Sequence, residues 1–266
     1  MWLLNRIKNQ TANIVILSNP TGLAMDDQSH LAVVYNANRL QLMYSNLTTI
    51  ETISTATNSR PLSYQNSYYF VGIYPVISPY TLYMYSATNL TLVSTTTNIY
   101  GSPQRVAFVY NNSIMCVITQ NTTISTMLYY QYYSPTSFIL NRTLILPITN
   151  AFYLAKLEDE AFFIVDAKGG GSIYKLLIAT DTVSSFITTN STEAPTAIVI
   201  DSCGRLWVTI VNYGIRIYDQ TGTLIGSWAV SSQLYDIIVT ETYDIYLVDK
   251  VSNKLSKYDT NVQCGV

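Results

Sequence analysis

The residues of this chain that could do chemistry are few, and most of them are oxygen donors. Asp26, Asp166, Asp201 and Asp249 are carboxylates of the kind that hold calcium, an ion that takes about six to eight oxygen ligands. His30 is the one histidine. As a catalytic base it would need a nucleophile and an orienting carboxylate within reach, and no Ser or Cys is spaced to supply the first, so it reads as an exposed turn residue. Cys116, Cys203 and Cys264 form no CxxC pair, which with a single histidine leaves structural zinc almost nothing to use. Cys203 and Cys264 are a candidate disulfide, and Cys116, in an apolar run, reads as a buried thiol. Gly169 to Gly171 has the composition of a phosphate-cradling loop but lacks GxxxxGK[ST] and a strand-to-helix context, so it reads as a hairpin loop. The remaining candidates are aromatic. Tyr35, Tyr74, Tyr80 and Tyr213, accompanied by Arg39, Asp166 and Asp249, would present broad apolar faces with polar tips, a surface suited to a sugar or an extended peptide.

What must position these side chains is a repeat. Six times, at intervals of roughly 40 residues, an apolar strand is followed by a polar turn, a second apolar strand, a loop and a third strand. That third strand ends near Tyr44, Tyr85, Tyr130, Leu177, Tyr218 and Tyr258 in turn. Units of this length with several short strands cannot bury their faces alone, and they stack radially in β-propellers. The expectation is an all-β, six-bladed propeller of four-stranded antiparallel blades. The blades span approximately 19–58, 59–100, 101–148, 149–192, 193–231 and 232–266, in one domain over residues 1–266. Eight residues after Tyr258 are too few for a fourth strand and its turn. The orphan segment 11–17 is therefore expected to complete the sixth blade and remove an exposed edge. In this arrangement Tyr35, Arg39, Tyr74, Tyr80, Asp166, Tyr213 and Asp249 fall on loops between second and third strands, which share one face. Asp26 and Asp201 open the turn between first and second strands, at the opposite end of the blade, where Asp is a natural turn former. One ion could not use all four carboxylates.

Repeat one reads Asn19-Pro-Thr-Gly-Leu-Ala-Met-Asp26, then an apolar strand to Tyr35, then Arg39-Leu-Gln-Leu-Met-Tyr44. It resembles the NHL-type repeat, in which Pro-x-Gly-Ile-Ala-x-Asp leads into an apolar strand and an Asn-Arg-Ile-type strand. Pro195 to Asp201 match with Ala197 in the glycine's place, and repeat six has Leu234 for the proline. Repeats two to four keep the strand spacing and lose most of the motif. The resemblance implies a six-bladed propeller. It does not imply an activity, because the family spans binding modules and enzymes.

Composition narrows the partners. The chain is 48% hydrophobic with 23 tyrosines, and only 11% charged, against about 25% in a typical soluble protein. With a net charge of −2 and basic residues scattered singly, it lacks the clustered footprint of a nucleic-acid binder. No apolar run is long enough to span a membrane as a helix. Sequons at Asn46, Asn89, Asn111, Asn121 and Asn190 fall in expected turns or loops, where glycans are accommodated. Together with the low charge they point to an extracellular or cell-surface location, although the apolar run in Met1 to Arg6 is shorter than a signal peptide's. Neighbouring domains in a longer chain are compatible with this reading. Glu158 to Glu160 reads as a solvated hairpin tip, and the runs Tyr129 to Tyr133, Tyr68-Tyr69 and Tyr83/Tyr85 read as packing between blades. The expected function is a non-enzymatic binding or scaffold module without a cofactor, recognising a protein or glycan on the face of the second-to-third-strand loops. The alternative is a calcium-dependent hydrolase or lyase with its ion on the central axis.

Overall fold

The computed structural model describes residues 12–73, 80–121, 124–158, 161–168, 170–230 and 233–259. All regular structure among them is β. Strand β1 (Asn13–Ile16) precedes blade one, which comprises β2 (Gly22–Met25), β3 (Leu31–Tyr35), β4 (Arg39–Met43) and β5 (Thr49–Ser54). Blade two follows as β6 (Ser59–Gln65), β7 (Tyr68–Ile73), β8 (Tyr80–Ser86) and β9 (Leu92–Ile99). Blade three is β10 (Ser102–Val109), β11 (Ile114–Gln120), β12 (Ser125–Ser134) and β13 (Ser137–Leu146). Blade four is β14 (Ala151–Glu158), β15 (Ala161–Asp166), β16 (Ser172–Leu177) and β17 (Thr182–Thr188). Blade five is β18 (Pro195–Ile200), β19 (Leu206–Ile210), β20 (Gly214–Tyr218) and β21 (Leu224–Trp228). Among the described residues blade six has three strands of its own, β22 (Leu234–Val239), β23 (Ile245–Asp249) and β24 (Lys254–Tyr258), and β1 is its fourth. The innermost strands meet in the order β2, β6, β10, β14, β18, β22 and back to β2. This is a closed six-bladed β-propeller.

The sequence pattern explains which strand goes where. Second strands are covered on both faces, and so read as continuous apolar runs: every residue of β15, β19 and β23 is buried. Outer strands face water on one side and are rich in Thr and Ser, as in β5, where five of six residues are exposed. The clasp is antiparallel, with Asn13 opposite Lys257, Val15 opposite Leu255 and Ile16 opposite Lys254. It sews the start of the chain to the last blade and protects an edge that would otherwise recruit other strands.

The core is a ring of inter-blade layers. Ala24, Val34 and Leu40 of blade one pack on Leu62, Tyr69 and Val71 of blade two. Leu23 and Val33 pack on Tyr246 and Val248 of blade six. Tyrosine is favoured in these layers because its ring fills the core while its hydroxyl reaches a polar partner on the next blade. Tyr69 donates to Asp26 at 3.0 Å, and Tyr246 donates to the Ser45 carbonyl at 2.9 Å. Glycine is needed at position 22, where a Cβ would stand 2.7 Å from the Arg60 carbonyl of the adjoining inner strand. Buried Cys116 has its thiol pushed up to about 12 by desolvation.

Burial also raises the phenols of Tyr85 and Tyr246 to about 12, and that of Tyr69 further still. A tyrosine in the unfolded chain ionises near pH 10. These groups therefore contribute stability that is fully present below about pH 10 and is lost as pH rises from there through their folded values. Urea unfolding midpoints are expected to hold level between pH 7 and 9 and to fall steeply between pH 10 and 12. A flat profile up to pH 12 would contradict the burial of these phenols. At the clasp, Val15→Pro removes a ladder donor and a core contact, and should cost about 2 kcal/mol, measured as a lower midpoint in the same assay.

Candidate functional site: the axial channel

Six inner strands converge on the axis, and the side chains that meet there decide what the channel can hold. At its waist stand Arg105 from β10, Tyr153 from β14 and Asp236 from β22. Arg105 Nη1 donates to Asp236 Oδ2 at 3.0 Å. Arg105 Nη2 donates to the Tyr153 hydroxyl and, at 3.4 Å, to the Leu23 carbonyl. The Tyr153 hydroxyl donates to Asp236 Oδ1 at 2.8 Å. Two backbone amides complete the carboxylate's shell: Leu23 N–H at 2.8 Å on Oδ2 and Ile237 N–H at 2.9 Å on Oδ1. Blades one, three, four and six are thus tied through one carboxylate, which is 2% exposed.

The electrostatics are self-consistent. Burial alone would lower the Arg105 pKa, but Asp236 and the Tyr153 dipole outweigh it and hold the guanidinium above its ordinary value. Desolvation, reinforced by Asp236, pushes the Tyr153 phenol well above its usual range, against the opposing pull of Arg105. The cluster therefore keeps a charged Arg and a protonated Tyr throughout the neutral range. A buried ion pair holds when its remaining lone pairs and protons are satisfied, and here four donors converge on the two oxygens.

The waist divides the channel unequally. Toward the second-to-third-strand loops lies a void of only about 20 Å³, bordered by Thr21, Arg60, Gln104, Phe152 and Tyr235. There Phe152 and Tyr235 pack edge to face with centroids 5.6 Å apart, and Lys250 lies over the Tyr235 ring. Toward the first-to-second-strand turns the channel widens into a funnel of about 350 Å³. Its floor is Arg105, and its walls include Met25, Tyr64, Lys156, Ile200 and Ile238. A second cavity on this face, about 380 Å³, lies between blades one and two beside His30, Tyr44 and Tyr64.

The residues expected to bind stand elsewhere. Tyr35, Arg39, Tyr80, Asp166, Tyr213 and Asp249 sit at the ends of β3, β4, β8, β15, β19 and β23 or in the adjoining loops; Tyr35 and Arg39 face each other on one hairpin, and the other four each stand on a different blade. Arg39 donates to Ser54 at 2.8 Å. The Tyr213 and Thr192 hydroxyls are 3.1 Å apart, and Arg216 lies over the Tyr213 ring. Among the described residues no ring contact joins any two of Tyr35, Tyr80 and Tyr213. Tyr74, Cys264, Gly169, Asp159 and Glu160 lie outside the described residues. Of the expected Cys203–Cys264 bridge only Cys203 is described, its sulfur 3.1 Å from the Tyr243 hydroxyl. Four sequon asparagines, Asn46, Asn89, Asn111 and Asn190, are exposed, and Asn121 is half-buried.

The carboxylates weighed as calcium ligands are tied up locally. Asp26 accepts from the Gln28 and His30 amides and from the Tyr69 hydroxyl, and its Oδ2 lies 3.1 Å from His30 Nδ1. Asp201 accepts from the Cys203 and Arg205 amides, Arg205 Nε and Trp207 Nε1. His30 therefore occupies the place that Arg205 fills in blade five. It braces the turn's aspartate from four residues on. Asp166 and Asp249 accept from the amides of Lys168 and Ser252, and burial raises the Asp166 carboxyl above its ordinary value. Among the described residues no group of three or more His, Cys, Asp or Glu is arranged to hold a metal ion.

Arg105, Tyr153 and Asp236 were missed as candidates. Asp236 carried one signal in the sequence, a charged residue inside an otherwise apolar first strand, whereas Arg105 follows Gln104 at the polar start of its own.

No family model matches the chain, and no curated protein matches it. Solved structures do. A gluconolactonase from Xanthomonas campestris superposes with a TM-score of 0.71 at 13% identity, covering 93% of this chain and 89% of that one. A luciferin-regenerating enzyme gives 0.67 at 11%, covering 93% and 94%. The WD40 β-propeller domain of Doa1 gives 0.69 at 14%, covering 95% and 90%. At these identities the likeness is of fold alone, and it places the chain among the β-propellers.

Tyr153→Phe deletes one donor to the buried carboxylate and should lower stability by about 2 kcal/mol, read as a lower urea midpoint. An unchanged midpoint would show that the hydroxyl does not support Asp236.

Proposed function

We propose that this propeller is a non-enzymatic binding module whose ligand sits in the axial funnel on the turn face. The observation that carries this reading is the waist itself. The carboxylate at the waist, Asp236, is neutralised by Arg105 at 3.0 Å and saturated by hydroxyl and amide donors, while a funnel of about 350 Å³ lies beyond it. Cavities of about 300–1,000 Å³ are the usual size of small-molecule sites. A surface for a protein or glycan partner is proposed on the opposite face, where Arg39 and Tyr213 are exposed. An extracellular setting with glycans on the sequon asparagines belongs to the same proposal, as does an affiliation with NHL-type repeats.

The second reading, an ion-dependent hydrolase, draws on the gluconolactonase named among the fold neighbours. Against it stands the guanidinium beside Asp236, which would repel an axial cation and leave it one carboxylate where calcium needs several oxygen ligands. Incubation with δ-gluconolactone and calcium is expected to leave hydrolysis at its uncatalysed rate, and EDTA is expected to leave the melting curve unmoved. Saturable, calcium-dependent turnover would overturn the non-enzymatic reading.

A further inference from the structure

The cavity between blades one and two is bordered by an aromatic ring that the core does not use. In blade five Tyr218 lies opposite Leu206, the first residue of the second strand, and is 4% exposed. In blade one the register puts Met43 in that place, opposite Leu31, and Met43 is fully buried. Tyr44 is the next residue, and it stands 51% exposed. Its backbone is nonetheless fixed, because its N–H donates to the Thr48 carbonyl at 2.9 Å and its carbonyl accepts from the Leu47 N–H at 2.9 Å. The ring meets His30 edge to face with centroids 5.7 Å apart. An exposed ring on a fixed hairpin thus borders a cavity of about 380 Å³, within the usual range of small-molecule sites.

The polar side chains around this cavity include both donors and acceptors, and the fold holds two of them in place. Asp27 is exposed, and its Oδ2 accepts from the Tyr64 hydroxyl of blade two at 2.8 Å. His30 is held through Nδ1 by the buried Asp26 at 3.1 Å, and Nε2 is the second hydrogen-bonding atom of its ring. Gln28 of the same turn and Thr88 of blade two border the cavity and are exposed; an amide and a hydroxyl each donate and accept. A carboxylate, an amide, an imidazole and a hydroxyl beside an aromatic ring match one ligand chemistry, a pyranose. Its hydroxyls also donate and accept, and a carboxylate takes their protons in charge-assisted bonds. Its C–H face suits the broad apolar area of a Tyr ring.

We propose that this cavity is a carbohydrate site beside the axial funnel, taking a neutral pyranose whose C–H face lies on Tyr44 and whose hydroxyls bond to Asp27, Gln28 and Thr88. Tyr64 is a wall that the two cavities share, but no residue given a role toward the sugar borders the funnel.

Isothermal titration with maltose, lactose, cellobiose and tetramethylammonium tests this on the wild-type chain and on Tyr44→Ala, Tyr44→Phe and Asp27→Ala. Both substituted positions are exposed, so the loss of one variant to misfolding leaves the other. Saturable binding of at least one disaccharide at millimolar concentration is expected, weakened about tenfold by Tyr44→Ala and by Asp27→Ala. Tyr44→Phe, which keeps the ring face, is expected to bind as the wild type does. Absence of saturable binding by all three disaccharides, or binding that neither Tyr44→Ala nor Asp27→Ala weakens, would overturn the proposal. Tetramethylammonium bound more tightly than every disaccharide, with the same sensitivity to both variants, would overturn the carbohydrate class in favour of an organic cation held on aromatic faces.

Discussion

Six inner strands closing on an axis bring polar backbone and side chains into a space too narrow for bulk water, and something must satisfy them. In this propeller the solution is the Arg105–Asp236 ion pair, capped by Tyr153 and two backbone amides. Taking either charge away would strand the other in a low-dielectric site, a loss of about 3–5 kcal/mol. Because the cluster draws on blades one, three, four and six, it ties together strands that share no sheet. The β1 clasp closes the circumference, and the waist fixes the centre.

The asymmetry of the channel follows from where that cluster sits. On one side the aromatic pair Phe152 and Tyr235 leaves almost no volume; on the other, short apolar side chains of blades five, six and one leave the funnel open. The same Arg105 that neutralises Asp236 also borders the funnel, so the element that ties the inner strands together is a polar group at the funnel's base. At the waist the buried Asp236 carboxylate is balanced by the Arg105 guanidinium at 3.0 Å.

The ring was legible in the sequence because its cause is local. Apolar runs such as Leu31 to Val34 mark strands covered on both faces, Asp26 and Asp201 mark equivalent turns, and the apolar segment containing Val15, which stands before the first repeat, marks the strand that joins the last blade. The waist was not legible, because its cause is not local. Arg105 and Asp236 are 131 positions apart, and only closure of the ring brings them together. Reading the second-to-third-strand loops as a shared face located Tyr35, Tyr80 and Tyr213 at the right ends of their strands. Strand order alone does not say how far from the axis a loop lies, and these three remain on separate hairpins. His30 shows the converse. Its role as a brace for Asp26 is visible only beside Arg205 and Asp201 in blade five.

The claim on which this account turns is that Arg105 and Asp236 act as one unit at the centre of the ring. A double-mutant cycle of Arg105→Met and Asp236→Leu, followed by urea unfolding, measures that coupling directly. The account predicts that the double variant is more stable than the sum of the single losses implies, by at least about 2 kcal/mol. Single losses that add to within about 0.5 kcal/mol would contradict it.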